Sequence, residues 1–176
     1  MSTETLNARN ETESEAMTFT KPLPEHQWLQ NLVGSWTIES EMFVAPGMPV
    51  QTSTGTEVVK NFGGLWAFGE GTLTMPDGSV MQHHSALGYD VSFKEYRSCW
   101  FASVCSHLWN SVGTLSEDGK AMTLDCVGPD MQRDGQTANY RDVIELLDAD
   151  HRTLTSYGQD EHGTWHPFMK ARYTRV

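Results

Sequence analysis

The sequence predicts an all-β fold: an antiparallel up-and-down barrel of about ten strands, entered through one short helix. Three observations predict it. Short stretches rich in aromatic and β-branched residues recur, from Val58 and Val59 through Trp66–Leu73, Tyr96–Phe101, His107–Leu115 and Met122–Val127 to Thr164–Thr174. Turn signals separate them, at Pro76-Asp77-Gly78, Glu117-Asp118-Gly119-Lys120, Arg133-Asp134-Gly135 and Glu161-His162-Gly163. Asp-Gly supplies the positive φ that tight hairpin turns need. Third, no long helical pattern intervenes, so parallel βαβ units are not expected. Hairpins in simple succession favour closure over a Greek-key sandwich, and closure removes exposed strand edges.

Along the chain, residues 1–20 hold Glu4, Glu11, Glu13 and Glu15 among Ser, Thr and Asn. Such a segment buries too little to offset its ordering entropy, so a disordered acidic tail is expected, with one domain over 21–176. Asn10-Glu11-Thr12 matches a glycosylation acceptor, but no signal-peptide pattern accompanies it. The stretch Leu23–Gly34 reads as a short amphipathic helix. Pro24 suits its first turn, Glu25 complements the dipole, and Trp28, Leu29, Leu32 and Val33 share a face. With so few turns it must pack on something. In the strand that follows, an inward Trp36 brings Ile38, Ser40 and Met42 inside and leaves Glu39 and Glu41 to solvent.

Composition narrows the partners. At 176 residues the chain fits one domain, and its net charge of -11 disfavours nucleic acid and anionic membranes. No apolar run approaches the roughly 18 residues of a membrane span, so the cytoplasm is the expected location. Oligomeric state has no signature. Cys99, Cys105 and Cys126 follow no metal-ligand or Cys-x-x-Cys spacing, and free buried thiols are expected. No metal site is predicted.

Gly34-Ser35-Trp36 after a short helix, with Tyr173-Thr174-Arg175 at the end, resembles the lipocalin and nitrobindin-like (calycin) pattern. In those barrels a Trp of the first strand packs beside a basic residue from the last, closing the base. The chain further resembles an uncharacterised bacterial domain-of-unknown-function family of such barrels. The shared segments are Pro24-Glu25-His26, Gly63-Gly64-Leu65-Trp66, Leu87-Gly88-Tyr89-Asp90, His107-Leu108-Trp109, Tyr140–Glu145 and Phe168-Met169. His83-His84 and Cys105 fall outside that pattern. Some related barrels carry haem through a histidine near the final strand, which points to His166, beside a Pro167 that would set it at a rim.

A polar group inside an apolar barrel needs a partner or a task. His107, beside Trp109, leads the candidates, as a ligand donor, a general base or an axial haem ligand, against the plainer role of a histidine satisfied by Glu57, Glu70 or Glu145. On a strand Cys105 would share its face at about 7 Å, although a small buried thiol is the plainer role. His83 and His84 are adjacent, so one faces in and the other out. The ligand-binding candidates are His107, Trp109, Glu57, Glu70, His84, Arg141, Glu145, Tyr157 and Met169. His107, Glu145, Tyr140 and Arg141 are the residues that could move a proton or stabilise an anion. The expected function is binding of a small, largely apolar molecule in the barrel. The alternative is an isomerase, lyase or cyclase acting on such a molecule, and a haem-binding barrel comes third. A solidly filled barrel acting through its surface is the bland option.

Overall fold

In a computed structural model, which describes residues 19–43 and 47–176, ten antiparallel strands close into one barrel. They are β1 (Gly34–Met42), β2 (Gln51–Phe62), β3 (Trp66–Thr74), β4 (Val80–Asp90), β5 (Glu95–Ala102), β6 (Trp109–Leu115), β7 (Ala121–Pro129), β8 (Thr137–Leu146), β9 (His151–Gln159) and β10 (Trp165–Arg175). Each strand pairs with its neighbours in sequence, and β10 returns to β1 from Trp36↔Arg175 to Met42↔Met169. The expected tail and its Asn10 acceptor lie, up to residue 18, outside the described residues.

Alternation of side chains sets the inner and outer faces. On β1, Trp36 and Ile38 are buried and Ser35, Thr37 and Glu39 are exposed. On β3 the inward set is Ala67, Gly69 and Gly71, and Trp66, Phe68 and Glu70 face out. The β10 alternation breaks at a bulge between Pro167 and Met169. Proline cannot donate to a ladder and suits such a position.

The helical segment is shorter than the sequence suggests: α1 covers Pro24–Trp28, and a 3₁₀ turn follows over Leu29–Asn31. Its role is that of a plug. Trp28, Leu29 and Leu32 join Trp36, Val59, Leu87 and Tyr96 in one buried cluster. Trp28 Nε1 donates to Gly119 O at 2.8 Å, and Tyr96 Oη donates to Glu25 O at 2.9 Å. Arg175 lies 4.2 Å over the Trp36 ring and donates to the carbonyls of Val33, Asn31 and Ala149. The base is therefore closed by a Trp and a terminal Arg. Gly34 is required beside them, since its φ of 141° suits only glycine and a Cβ would collide with the Arg175 guanidinium.

One joint of the wall is incomplete. β6 pairs with β7 only between Val112↔Asp125 and Leu115↔Met122. Beyond that, Trp109–Ser111 stays with β5 and Cys126–Pro129 stays with β8, and the ladder between them stops. A seam runs from there to the end opposite the plug, which is the mouth. The Trp109 ring crosses it and rests on Gly128, where any Cβ would collide with the indole.

Candidate functional site

The interior has two tiers. Near the mouth, aromatic rings meet edge to face: Trp109 with Tyr140 at 5.1 Å, and Tyr140 with Phe168 at 6.2 Å. Tyr140 is held by its hydroxyl, which donates to Pro129 O at 2.8 Å and accepts from Met131 N at 3.2 Å. Outside the seam lies a cleft of about 410 Å³ bordered by Val112, Cys126, Val127, Asn139, Tyr140 and Trp165.

Deeper down, the wall turns polar. Glu57 and Arg152 are buried and form an ion pair through Arg152 Nη2 and Glu57 Oε2. The guanidinium carbon lies 3.7 Å over the Tyr173 ring and 4.8 Å from the Trp36 ring. Burial pushes the Tyr173 hydroxyl well above its ordinary pKa, and the Glu57 charge adds to the effect. Two glycines make room for these groups. Glu57 Oε1 sits 3.0 Å from where a Cβ of Gly69 would be, and His83 Nε2 lies against Gly71. His83 is 5% exposed, with its ring 6.2 Å from that of Trp100. Neither of its ring nitrogens has a hydrogen-bond partner among the described residues, and Arg152 Nε lacks one too. Burial lowers the His83 pKa, opposed by the Glu57 charge, and so favours the neutral ring. On the facing strands, Asp142 accepts from Ser156 Oγ, and desolvation raises its carboxyl pKa.

The candidate residues divide between the two faces. Glu57, Trp109, Tyr140 and Met169 point into the barrel. His107 is in the loop before β6 at the mouth, its ring 4.8 Å from that of Trp109, so the two do not share a strand face. Glu70, His84, Arg141, Glu145 and Tyr157 are on the outer face, contrary to the expectation of an interior position. Glu70 and Glu145 are exposed, and His84 stacks between Phe68 and Phe101. Arg141 pairs with Asp125 at 2.7 Å and covers Trp165 at 4.4 Å, opposite Tyr157. Mixed strands such as 140–147 hide their phase, because both faces carry polar and apolar residues. Trp165 also faces out and Phe168 in, because the bulge reverses the alternation. Cys105 is exposed in the same loop as His107, and Cys99 and Cys126 are half-buried, so the thiols are less buried than expected.

The inward polar residues missing from the candidates include His83, Asp142, Arg152, Ser156 and Tyr173. Asp142 shares the phase of Tyr140, and Arg152 is opposite Tyr173, two positions from the end of β10. Those were the available signals. His166, the candidate haem ligand, is exposed on the rim, with Nε2 bonded to Asp160 at 2.8 Å. Among the described residues no group of three or more His, Cys, Asp or Glu converges on a metal position. No helix among them is long and apolar enough to cross a membrane.

Comparison with solved structures places this barrel among known ones. The Rv2717c protein from M. tuberculosis is similar over 89% of this chain and 99% of its own, at 15% identity and a TM-score of 0.62. The S-type phycobiliprotein lyase CPES from Guillardia theta is similar over 88% and 93%, at 14% identity and a TM-score of 0.59. At these identities the likeness is one of fold. No curated protein matches the sequence. A family profile does match, over residues 21–175, and the chain belongs to that family, described as a protein of unknown function (DUF1579).

Proposed function

We propose that this chain binds one small, largely apolar molecule inside the barrel. The observation that carries the reading is the state of the inward side chains at mid-height. Asp142, Leu154 and Met169 point inward from the barrel wall above a sealed base, yet keep accessible surface. On this reading that surface faces the space a guest would fill. Trp100, Trp109, Tyr140 and Phe168 offer flat apolar faces around it, and the polar tier beneath supplies a few groups to orient a guest.

A second reading has one observation in its favour. Asp142 points inward with a pKa raised by desolvation and a hydroxyl partner, a setting that suits a carboxyl to exchange protons with a bound molecule. A barrel of the same fold bears the name of a lyase, so the architecture is compatible with chemistry as well as storage.

Native mass spectrometry and an absorption spectrum on untreated protein test the first reading. A reproducible extra mass lost on denaturation is the expected result. A bare mass, together with no thermal stabilisation by naphthalene-sized apolar molecules, refutes it.

A further inference from the structure

We propose that the floor between His83 and Arg152 takes a neutral hydrogen-bond acceptor, a ketone or amide carbonyl oxygen, from the bound molecule. The inference rests on the binding reading above and adds the class of ligand.

A neutral imidazole carries one N–H and one lone pair, and a guanidinium carries five N–H donors. His83 is inward and buried with both nitrogens unpartnered, and Arg152 is inward and buried with Nε unpartnered. Buried polar atoms in native proteins are nearly always paired, so these ask for a partner that the chain does not supply. The register brings them to one place. Glu57 is opposite Gly71, and Gly71 is opposite His83, so no side chain stands between the imidazole and the Glu57–Arg152 pair. Ala102, on the other flank of His83, adds only a methyl group.

Charge decides the class of acceptor. The Arg152 cation is already answered by Glu57, and Asp142 contributes a second carboxyl to the interior. A carboxylate or phosphate would add negative charge where none is left to neutralise it, at the cost of its own desolvation. A carbonyl oxygen accepts from the His83 N–H or from Arg152 Nε without bringing charge. Trp100, whose ring is tilted 30° from that of His83, offers an apolar face for the group bearing that carbonyl.

The test compares two probes of nearly the same shape, 2-acetylnaphthalene and 2-isopropenylnaphthalene, in which the carbonyl oxygen becomes a methylene. Both are titrated into the full chain and into His83→Leu and His83→Gln, read by quenching of tryptophan fluorescence. The wild type should bind the ketone about 3- to 10-fold more tightly, the yield of one neutral hydrogen bond. H83L should lose that preference while still binding the alkene, and H83Q, which keeps an N–H donor, should restore part of it. If H83L does not fold, the His83 ring resonances of ¹⁵N-histidine-labelled wild type carry the test: the ketone shifts them and the alkene does not. Equal affinities in the wild type, or a preference that survives in H83L, overturn the proposal and leave the binding reading intact. Failure of both probes to bind overturns the two together.

Discussion

Replacing Arg152 by Met removes the cation from the barrel floor and leaves Glu57 where it was. Both side chains of the pair are almost fully shielded, at 6% and 7% exposure. Breaking a buried ion pair by removing one partner costs about 3–5 kcal/mol, because the remaining charge is left desolvated. Arg152 also loses its contacts over Tyr173 and Trp36, but a thioether makes comparable contacts with aromatic rings, so this part largely cancels. For a domain of this size each kcal/mol moves Tm by about 2–4 °C, giving an expected fall of roughly 6–20 °C. The double variant Glu57→Leu/Arg152→Met removes both charges. Replacing a whole buried pair with apolar residues is often neutral or stabilising, so most of the loss should return. Urea unfolding near neutral pH, followed by tryptophan fluorescence, measures all three proteins. A loss below about 1 kcal/mol in R152M, or a double variant no more stable than the single one, would show that the pair is not desolvated and that the floor is misdescribed.

His83 makes stability pH-dependent. Its folded pKa is depressed below the ordinary 6.5, so its contribution is complete above that value and is lost as pH falls through the depressed one. Unfolding curves between neutral and mildly acid pH should show that loss in the wild type and less of it in H83L, whose ligand-free form should also be more stable by about 1–3 kcal/mol near neutrality; parallel curves would contradict this. Asp142 works in the opposite sense: its folded pKa is raised above 3.8, so its contribution is present below that value and is lost as pH rises through the raised one. Asp142→Asn, which can still accept from Ser156, should therefore gain stability near neutral pH and little in acid, as read by urea unfolding at both; a uniform loss would oppose the assignment. Carried one step beyond Val112↔Asp125, the register sets Ser111 opposite Cys126 across the seam, so Ser111→Cys should form a disulfide with Cys126 under mild oxidant. Stopped-flow association of 2-acetylnaphthalene should then slow and recover with reductant, and an unchanged rate would mean that ligands do not pass there.

The barrel was legible because its signals are local and repeated. Asp-Gly pairs mark the turns, and the Trp36 phase sorts β1 correctly at Trp36, Ile38 and Glu39, whereas Met42, expected inside, is exposed where the strand reaches the mouth. The closing contact between Trp36 and Arg175 was readable from the two ends of the domain. The site was less legible because it depends on phase in strands whose two faces have similar composition. On β8, Tyr140, Asp142 and Ile144 against Arg141, Val143 and Glu145 give no hydrophobic bias, and a one-residue error moves every side chain through the wall. The pair His83-His84 shows the same limit: adjacency says that one faces in, and only pairing with β3 and β5 makes it His83. On β10 the bulge at Pro167 changes the phase midway, so Trp165 and Met169 point to opposite sides despite their even spacing.

The unfinished joint between β6 and β7 changes what kind of container this barrel is. A tube closed along its whole length has a bore set by strand number and shear. A tube slit partway down from its rim behaves instead as a spring clip: its lower ring, here the four pairs from Val112 to Leu115, holds the shape while the lips part. Under the proposed binding role, the width it would accept is set by how far one indole can lift from one glycine, Trp109 from Gly128. Guests of different girth could share such a vessel without a strand being remade.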